Sequence, residues 1–366
     1  MPIRGTFDAR TDLMATHDII VVGASAGGVE AISTIVAGLP RDLRAAVFVV
    51  LHVSRGRSVL PEILMRAGRL PASHPSDAER FHYGRVYVAP PDHHMTLERD
   101  VIRITHGPTE NGVRPAVDPL FRSAARAYRG RVVGVVATGA LDDGTAGLAA
   151  IKQAGGIAIV QDPDEAVAPS MPRSAIAAVN VDHVLPIVQI APLLQALAHE
   201  PAGSSSSGPA PHVERMEPDR APGQIAISER DRPGRLAVFT CPECHGSLWE
   251  HDEEGILRFR CRVGHIYSSD SMLAAHTDSV DRALWAALRA LEERAALTQT
   301  MAQRARERKH TRVAGAFEER SKAAAEQAEL LKVLLSDRSA THVVPDPAEE
   351  DPAAEPTFQA ATEQEG

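Results

Sequence analysis

The chain has 366 residues and a formal net charge of −9, and 44% of its residues are hydrophobic. This length allows more than one domain, and this hydrophobic content is typical of a globular protein. The acidic balance argues against general nucleic-acid binding, whose footprint is basic. No run of residues is apolar over the length of a membrane span, and no apolar segment precedes Ile19. The sequence therefore predicts a cytoplasmic protein with neither a secretory signal nor a membrane-inserted segment.

Short apolar runs alternate with helix-like stretches from Ile19 to about Ala198. The runs cover 19–22, 45–53, 85–90, 131–139, 156–161 and 181–186. Apolar strands separated by helices predict an α/β domain with a doubly wound, mostly parallel sheet in a Rossmann-like three-layer arrangement. The dipeptide Asp118-Pro119 predicts the start of one helix, as an N-cap followed by a proline at its first position. The piece HHMTLERDVIRITHG predicts a β-hairpin beside the main sheet.

The rest of the chain divides by composition. Pro, Gly and Ser dominate a predicted flexible linker, three cysteines mark a small zinc-ribbon-like module, and apolar residues at helical spacing predict an α-helical hairpin. Acidic, Pro-rich sequence at the end predicts disorder. The predicted segments are a disordered N-terminus (1–17), the α/β domain (18–198), the linker (199–235), the ribbon module (236–269), the helical hairpin (270–337) and a disordered acidic tail (338–366).

The stretch DIIVVGASAGGVEAIST joins the first predicted strand to a helix through a glycine-rich turn. A dinucleotide cradle would need the pattern G-x-G-x-x-G and an acidic residue on the next strand. Here Ser25 replaces the middle glycine, and the polar residue that ends the second strand is His52. The letters fit G-x-S-x-G, which displays a nucleophilic serine on a tight turn, but Ser25 is also a favoured residue to cap a helix.

Three reactive side chains follow three predicted strands: Ser25, His52 and Asp143. In an open parallel sheet such groups gather beyond the carboxyl ends of the strands. A serine, an imidazole and a carboxylate together are what acyl transfer needs. Two alternatives stay open, since His52 also fits a half-buried strand-end histidine and Asp142 or Asp143 fits a helix cap. The order Ser…His…Asp differs from the Ser…Asp…His order of the α/β-hydrolases.

Several longer stretches resemble one family, the CheB-type chemotaxis protein-glutamate methylesterases, in their catalytic domain. The stretches are VVGASAGGVEA, GRVYVAPPDHHM, RPAVDPLFRSAA, ATGALDDGTAGLAAIKQAGG and VAPSMPRSAI, within about 19–194. The resemblance implies that Ser25, His52 and Asp143 are the catalytic serine, histidine and aspartate. It also implies that catalysis needs no cofactor.

The resemblance extends to two loops around the expected catalytic residues. The family's oxyanion-binding N–H corresponds to Ala140, and the N–H groups at the helix start, including that of Ala26, are suited to the same task. Two-domain members usually carry methionine at the position of Ala140, and Leu141-Asp142 replace their Gly-Asn. Met171 and Arg173 correspond to a G-M-P-R loop near the family's active site. Arg173 fits equally a contact with substrate carboxylates and a helix start.

By resemblance, the expected reaction is hydrolysis of glutamyl γ-methyl esters on the cytoplasmic helices of methyl-accepting chemotaxis receptors, with release of methanol. Deamidation of receptor glutamines is a second activity of the family. Two-domain members place a receiver domain before the catalytic domain, and the few residues before Ile19 indicate the stand-alone form. Alternative functions on the same fold are a catalytically weak adaptor and a nucleotide-binding regulator.

The three cysteines fall in a metal-ligand pattern. Cys241-x-x-Cys244 is followed, after sixteen intervening residues, by Cys261-x-x-x-His265. This spacing predicts a structural zinc ion held by two knuckles, with His265 as the best-spaced fourth ligand and His245 or His251 as alternatives. Three unconnected thiols are the competing interpretation. A site with four protein ligands has no open position for water, so we expect no catalytic role. We expect the ribbon module and the C-terminal helices to dock partners or substrate helices.

Overall fold

The computed structural model describes residues 16–53, 56–202, 234–253 and 255–341, with side chains up to residue 336. Most of the predicted N-terminal segment, linker and acidic tail lies outside these residues. The chain forms two compact units, residues 1–276 and 277–366.

A seven-stranded sheet forms the centre of the first unit. Its strand order is β10-β9-β8-β1-β2-β5-β3, and all neighbouring strands are parallel. The strands up to residue 185 are β1 (Ile19–Ala24), β2 (Ala46–Leu51), β3 (Ala72–Ser73), β4 (Glu79–Arg80), β5 (Arg85–Val88), β6 (His94–Glu98), β7 (Val101–Thr105), β8 (Val132–Val136), β9 (Ile157–Gln161) and β10 (His183–Leu185). The predicted doubly wound α/β fold is confirmed.

Six helices cover the two faces of this sheet. They are α1 (Gly28–Gly38), α2 (Leu60–Ala67), α3 (Val117–Tyr128), α4 (Thr145–Gln153), α5 (Ser170–Ala178) and α6 (Ile187–Leu197). Successive side chains of a strand point to opposite faces, so Val21 packs with Phe121 of α3, whereas Val22 packs with Ile32 of α1. Because both faces are buried, the inner strands are apolar throughout.

The predicted hairpin is present beside the main sheet. Strands β6 and β7 pair antiparallel from His94↔Thr105 to Glu98↔Val101, and β4 pairs with β7 to complete a three-stranded sheet. Asp100 has a φ of 60° in the connecting turn, a conformation that aspartate tolerates better than most residues.

A second antiparallel sheet, which we call the ribbon, also belongs to the first unit. Its strands are β11 (Arg235–Thr240), β12 (Ser247–Glu253), β13 (Ile256–Cys261) and β14 (Ile266–Ser268), paired in that order. Leu248, Phe259 and Tyr267 form its small core with Met272, at the start of the helix that follows.

The second unit is a helical hairpin. It contains most of α7 (Ser269–Glu307) and all of α8 (Thr311–Thr341). The helices run antiparallel, since Arg306 Nη2 lies 2.6 Å from Glu318 Oε1 and Lys332 Nζ lies 3.1 Å from Glu292 Oε1. Within the described ranges, none of the helices combines the length and apolarity that a membrane crossing requires.

We predict that Phe48→Ala destabilises the first unit by about 3–5 kcal/mol, because it leaves a cavity in a fully buried aromatic cluster. Phe48 is 0% exposed, and its ring centroid lies 5.2 Å from that of Phe81 and 5.5 Å from that of Tyr87. The urea midpoint measures the effect. As a control, Val188→Ala removes methyl groups from a side chain that is 65% exposed and should change stability by less than about 0.5 kcal/mol. Equal midpoints for the two variants would contradict the prediction.

Candidate active site

Ser25, His52 and Asp143 lie at the same edge of the parallel sheet. Each follows the carboxyl end of a strand: β1, β2 and β8, which are neighbours in the sheet. The His52 N–H donates to the Ala24 carbonyl at 3.2 Å, and the Ser25 N–H donates to the Thr138 carbonyl at 2.9 Å. The chain leaves β1 toward β2 on one side and returns to β8 on the other, so the three residues meet at the topological switch point, where α/β sheets bind ligands.

The serine turn places the half-buried Ser25 directly ahead of a helix. The helix α1 has Gly27 as its N-cap, with a φ of 75°, and no side chain caps it. The alternative that Ser25 is the helix cap is therefore wrong. A Cβ at position 27 would lie 2.6 Å from Val167, so both the conformation and the space favour glycine there.

His52 is bound to Asp143 by a short hydrogen bond. His52 Nε2 lies 2.7 Å from Asp143 Oδ2, and the two side chains are 14% and 3% exposed. Because Nε2 faces the carboxylate, Nδ1 is the nitrogen that remains for proton transfer. This assignment exchanges the two nitrogens relative to the chymotrypsin-type triad, in which Nδ1 faces the aspartate.

Asp143 accepts three further hydrogen bonds. Its Oδ2 accepts from the Val117 N–H at 2.7 Å, and its Oδ1 accepts from the Asp118 N–H at 3.2 Å and from Asn111 Nδ2 at 3.0 Å. Burial raises the pKa of Asp143, but the hydrogen bond and charge of His52 and these N–H donors outweigh it and lower the pKa to about 2. Asp143 is therefore ionised at neutral pH.

Asp118 likewise accepts hydrogen bonds from the start of a helix, in this case α4. It is the second residue of α3, whose N-cap is Ala116, so the prediction that Asp118 is an N-cap is wrong. Its Oδ1 accepts from the N–H groups of Gly144 and Gly147, at 3.0 and 2.7 Å, at the start of α4. Asp143 in turn faces the start of α3. Each aspartate thus binds the N-terminus of the other's helix, a favourable place for a negative charge.

The loop of residues 138–140 packs between the serine turn and α5. A Cβ at Gly139 would lie 2.9 Å from the Ser25 Cβ and 2.0 Å from the Met171 sulfur, so only glycine fits there. Met171 is buried, and its N–H donates to the Gly139 carbonyl at 2.9 Å. Ala26 and Ala140, the residues predicted at the oxyanion site, are both exposed. Met171 is thereby brought to the serine turn.

Arg173 lies in the first turn of α5, where its N–H donates to the Pro169 carbonyl at 2.9 Å.

A cleft opens beside His52, and its wall includes Asp92, Thr109 and Arg114. Arg114 Nη2 lies 2.7 Å from Asp92 Oδ1, so this guanidinium is already paired within the cleft wall. His52 also lines this cleft, which therefore reaches the histidine of the candidate site.

A second cluster of reactive groups lies in the ribbon. The ligand atoms of Cys241, Cys244, Cys261 and His265 all lie within 4.8 Å of one another. His265 Nδ1 is 3.5 Å from Cys241 Sγ and 3.4 Å from Cys261 Sγ, and the Cys244 and Cys261 sulfurs are 3.6 Å apart. These separations and donor types fit a tetrahedral Zn²⁺. His265, rather than His245 or His251, belongs to this cluster.

Sequence reasoning missed several charged and polar residues behind Asp143. The dipeptide Asn111-Gly112 signals a turn, and Asn111 has a φ of 54°, but nothing local indicates that its amide binds Asp143. Arg258 is 1% exposed, although an arginine on a strand of a small module is normally expected at the surface. Its acidic partner Glu110 is 148 residues away in the sequence.

The comparisons with known proteins concern the α/β part of the chain. The family model for CheB methylesterase matches residues 20–194. A putative protein-glutamate methylesterase/protein-glutamine glutaminase of Leptospira interrogans is 39% identical over 179 residues, which are 48% of this chain and 93% of that relative. Protein-glutamate methylesterase/protein-glutamine glutaminase 2 of Pseudomonas aeruginosa is 38% identical over 204 residues, which are 54% of this chain and 58% of that relative.

A solved structure gives a further similarity. The Thermotoga maritima CheB methylesterase catalytic domain is 32% identical, with a TM-score of 0.48, and the match covers 49% of this chain and 98% of that one. The match to the Leptospira interrogans relative covers 93% of that protein at 39% identity, and this is sufficient to assign the family. The chain belongs to the CheB methylesterase family, which is a family of hydrolases.

Proposed function

We propose that residues 18–198 form a catalytic domain that hydrolyses glutamyl γ-methyl esters of methyl-accepting chemotaxis receptors, with Ser25, His52 and Asp143 as its triad. The observation that carries the proposal is the 2.7 Å hydrogen bond from His52 to an ionised Asp143, beside a serine displayed on the neighbouring strand end. The receptor's cytoplasmic helices are the proposed partner, and the cytoplasm is accordingly the proposed location.

In the first half of the proposed reaction, the Ser25 hydroxyl attacks the ester carbonyl while His52 Nδ1 takes its proton. Asp143 stabilises the imidazolium that forms and holds the ring in place. The tetrahedral intermediate collapses when the imidazolium returns the proton to the methoxy oxygen, and methanol leaves. The product of this half is a glutamyl ester of Ser25.

In the second half, water attacks this acyl-enzyme and His52 acts again as the base. The glutamate carboxylate is released and the Ser25 hydroxyl is restored. With glutamine as substrate, the same steps expel ammonia instead of methanol, which accounts for the paired names of the relatives. We propose the N–H groups of Ala26 and Ala140 as donors to the developing oxyanion. Both residues are exposed, Ala26 follows Ser25 in the chain, and Ala140 follows Gly139, which packs against Ser25.

We further propose that the ribbon holds one structural Zn²⁺ through Cys241, Cys244, Cys261 and His265. Zn²⁺ would cross-link the two loops of a module whose apolar core is small. The second ring nitrogen of His265 lies 3.5 Å from Glu243 Oε2, an arrangement that orients a metal-binding histidine.

The α7–α8 hairpin is the proposed docking surface for the receptor helices. Several of its large apolar side chains are exposed in the second unit, among them Trp285 at 55%, Leu297 at 61% and Leu330 at 67%. Exposed apolar residues on a helical surface suit an amphipathic helix as partner, and the receptor segments that carry the methyl esters are helices.

The first prediction from the proposed function concerns the nucleophile. Ser25→Ala should lower methanol release from methylated receptor cytoplasmic fragments by on the order of 10⁴-fold or more, as expected when a triad serine is removed. Ser33→Ala, a serine of α1 outside the site, is the matched control and should release methanol at the normal rate. Equal release by wild type and Ser25→Ala would show that another residue is the nucleophile.

The second prediction identifies the metal ligands. Purified wild-type protein should contain about one zinc per chain by elemental analysis, and His265→Ala should contain much less, because a tetrahedral site loses one of its four ligands. His245→Ala changes a neighbouring histidine outside the cluster and should retain its zinc. Zinc-free wild-type protein, or loss of zinc in His245→Ala but not in His265→Ala, would contradict the assignment.

The third prediction separates docking from chemistry. Trp285→Ser and Leu330→Ser, each tested alone, should raise KM for methylated receptor fragments several-fold and leave hydrolysis of a small glutamyl methyl ester unchanged. Val188→Ser, an exposed apolar residue of the first unit, serves as control. An unchanged KM in both hairpin variants would exclude the hairpin as the receptor-binding surface.

A further inference from the structure

The ribbon packs directly behind the triad aspartate through a buried arginine. Arg258 on β13 forms ion pairs with Glu110 and with Asp118, where Nη1 lies 3.1 Å from Oδ2. Arg122 of α3 forms a two-bond pair with the same Glu110, at 2.7 and 2.6 Å. All four side chains are at most 6% exposed. The ribbon thus supplies one of the two cations that compensate the buried carboxylates around the Asp143 loop.

The last ribbon strand also fixes the orientation of the Asn111 amide. Asn111 Oδ1 accepts from the Ser268 N–H and from the Ser271 hydroxyl, both at 3.1 Å. With its oxygen engaged by these donors, the amide presents Nδ2 to Asp143 Oδ1 at 3.0 Å and to Asp118 Oδ2 at 3.3 Å. The reversed amide would place its oxygen against two carboxylates. The ribbon therefore selects the orientation that donates to Asp143.

Two further contacts join the same strand to the loop of the triad aspartate. The Ser268 hydroxyl donates to Asp142 Oδ1 at 2.7 Å, directly before Asp143 in the chain. The Asn111 N–H donates to the Ile266 carbonyl at 2.7 Å, and the Ile266 N–H donates to the Thr109 carbonyl at 3.3 Å, so β14 pairs with the backbone beside Asn111.

The cysteine cluster lies at the other end of this connection. Glu243, between Cys241 and Cys244, accepts hydrogen bonds from the Thr109 hydroxyl and, at 2.7 Å, from the Tyr267 hydroxyl. It also faces His265 Nε2. Through Glu243, the loop that carries Cys241 and Cys244 is thereby bound to the segment that carries Thr109 and Asn111. The ribbon and the residues that hold Asp143 are therefore joined by side-chain hydrogen bonds as well as by backbone hydrogen bonds.

From these contacts we infer that the ribbon is a built-in positioning element of the active site, in which Ser268 and Ser271 orient Asn111 so that its amide holds the triad aspartate toward His52. This inference rests on the proposed function, because it assigns Asp143 its part in the triad. It means that the α/β domain alone has an incomplete support for Asp143. The two serines act on the site through their hydrogen bonds to Asn111 and Asp142.

The test is the rate at which a small fluorophosphonate labels Ser25 in the full chain. The Ser25 oxygen bonds to phosphorus and fluoride leaves, so the rate reports nucleophile activation without receptor binding. Ser268→Ala/Ser271→Ala and the milder Ser271→Ala should label about 10–100-fold more slowly, the range for loss of an outer-shell partner. Ser247→Ala, an exposed serine of β12, should label normally.

Two further readouts separate positioning from loss of structure. Both serine variants lose buried hydrogen bonds at the start of α7 and should melt somewhat below wild type, but at the assay temperature they should be folded and hold the wild-type zinc content. Under these conditions they should lower kcat for a small glutamyl methyl ester, with KM within about two-fold of wild type. If the double variant is partly unfolded at that temperature, Ser271→Ala alone decides, because it removes a single hydroxyl. A normal kcat in folded Ser271→Ala would overturn the inference.

The outcomes distinguish this inference from the function on which it rests. Normal labelling of both serine variants, with Ser25→Ala unlabelled, overturns the inference and leaves the triad in place. Labelling of Ser25→Ala at the wild-type rate overturns the triad and the inference together. Slow labelling of serine variants that are folded at the assay temperature and hold the wild-type zinc content supports the inference.

Discussion

Two buried aspartates hold the candidate active site together, because each binds the N-terminus of the helix that belongs to the other's segment of the chain. Asp143 faces the N-terminus of α3, and Asp118 faces the N-terminus of α4. A buried carboxylate is costly unless donors or cations surround it. The helix N–H groups lower this cost for both residues, with Arg258 added at Asp118 and Asn111 shared by the two. Asp143 is fully compensated, whereas burial and the neighbouring carboxylates still raise the pKa of Asp118 to about 7. The two helices and the loop that carries Asp143 are consequently fixed as one assembly.

The chemistry of the site follows from that assembly. Asp143 has a pKa of about 2 and stays ionised at neutral pH. Besides the N–H donors that hold it in place, it binds His52. Ser25 comes to the same place because β1 lies between β2 and β8 in the sheet. Gly139 then lets the loop after β8 pack against the serine turn, where a side chain would collide with Met171. Under the proposed mechanism, the sheet brings Ser25, His52 and Asp143 close together, and the aspartate pair fixes the orientation of Asp143 toward His52.

Local patterns predicted the sheet, the side hairpin, the three strand-end residues and the cysteine–histidine cluster, because each depends on short-range signals. Apolar runs fix strands that are buried on both faces, and metal-ligand spacing is read within one module. The residues that hold Asp143 in place were not predicted, because they come from parts of the chain that are far apart in sequence. Arg258 meets Glu110 across 148 residues, and Asp118 was expected to cap its own helix rather than α4. From its sequence the ribbon is expected to hold zinc and to contribute to partner docking, whereas its buried Arg258 binds Glu110 and Asp118 behind the Asp143 loop.

The central claim is that Ser25 carries the acyl group of the substrate. The most direct measurement is acid quenching during turnover of a methylated receptor fragment, followed by mass spectrometry of the intact chain and its peptides. The account predicts a covalent glutamyl adduct, equal in mass to the substrate less methanol, on the peptide that contains Ser25, and none in Ser25→Ala. An adduct on any other residue, or the same adduct in Ser25→Ala, would contradict it.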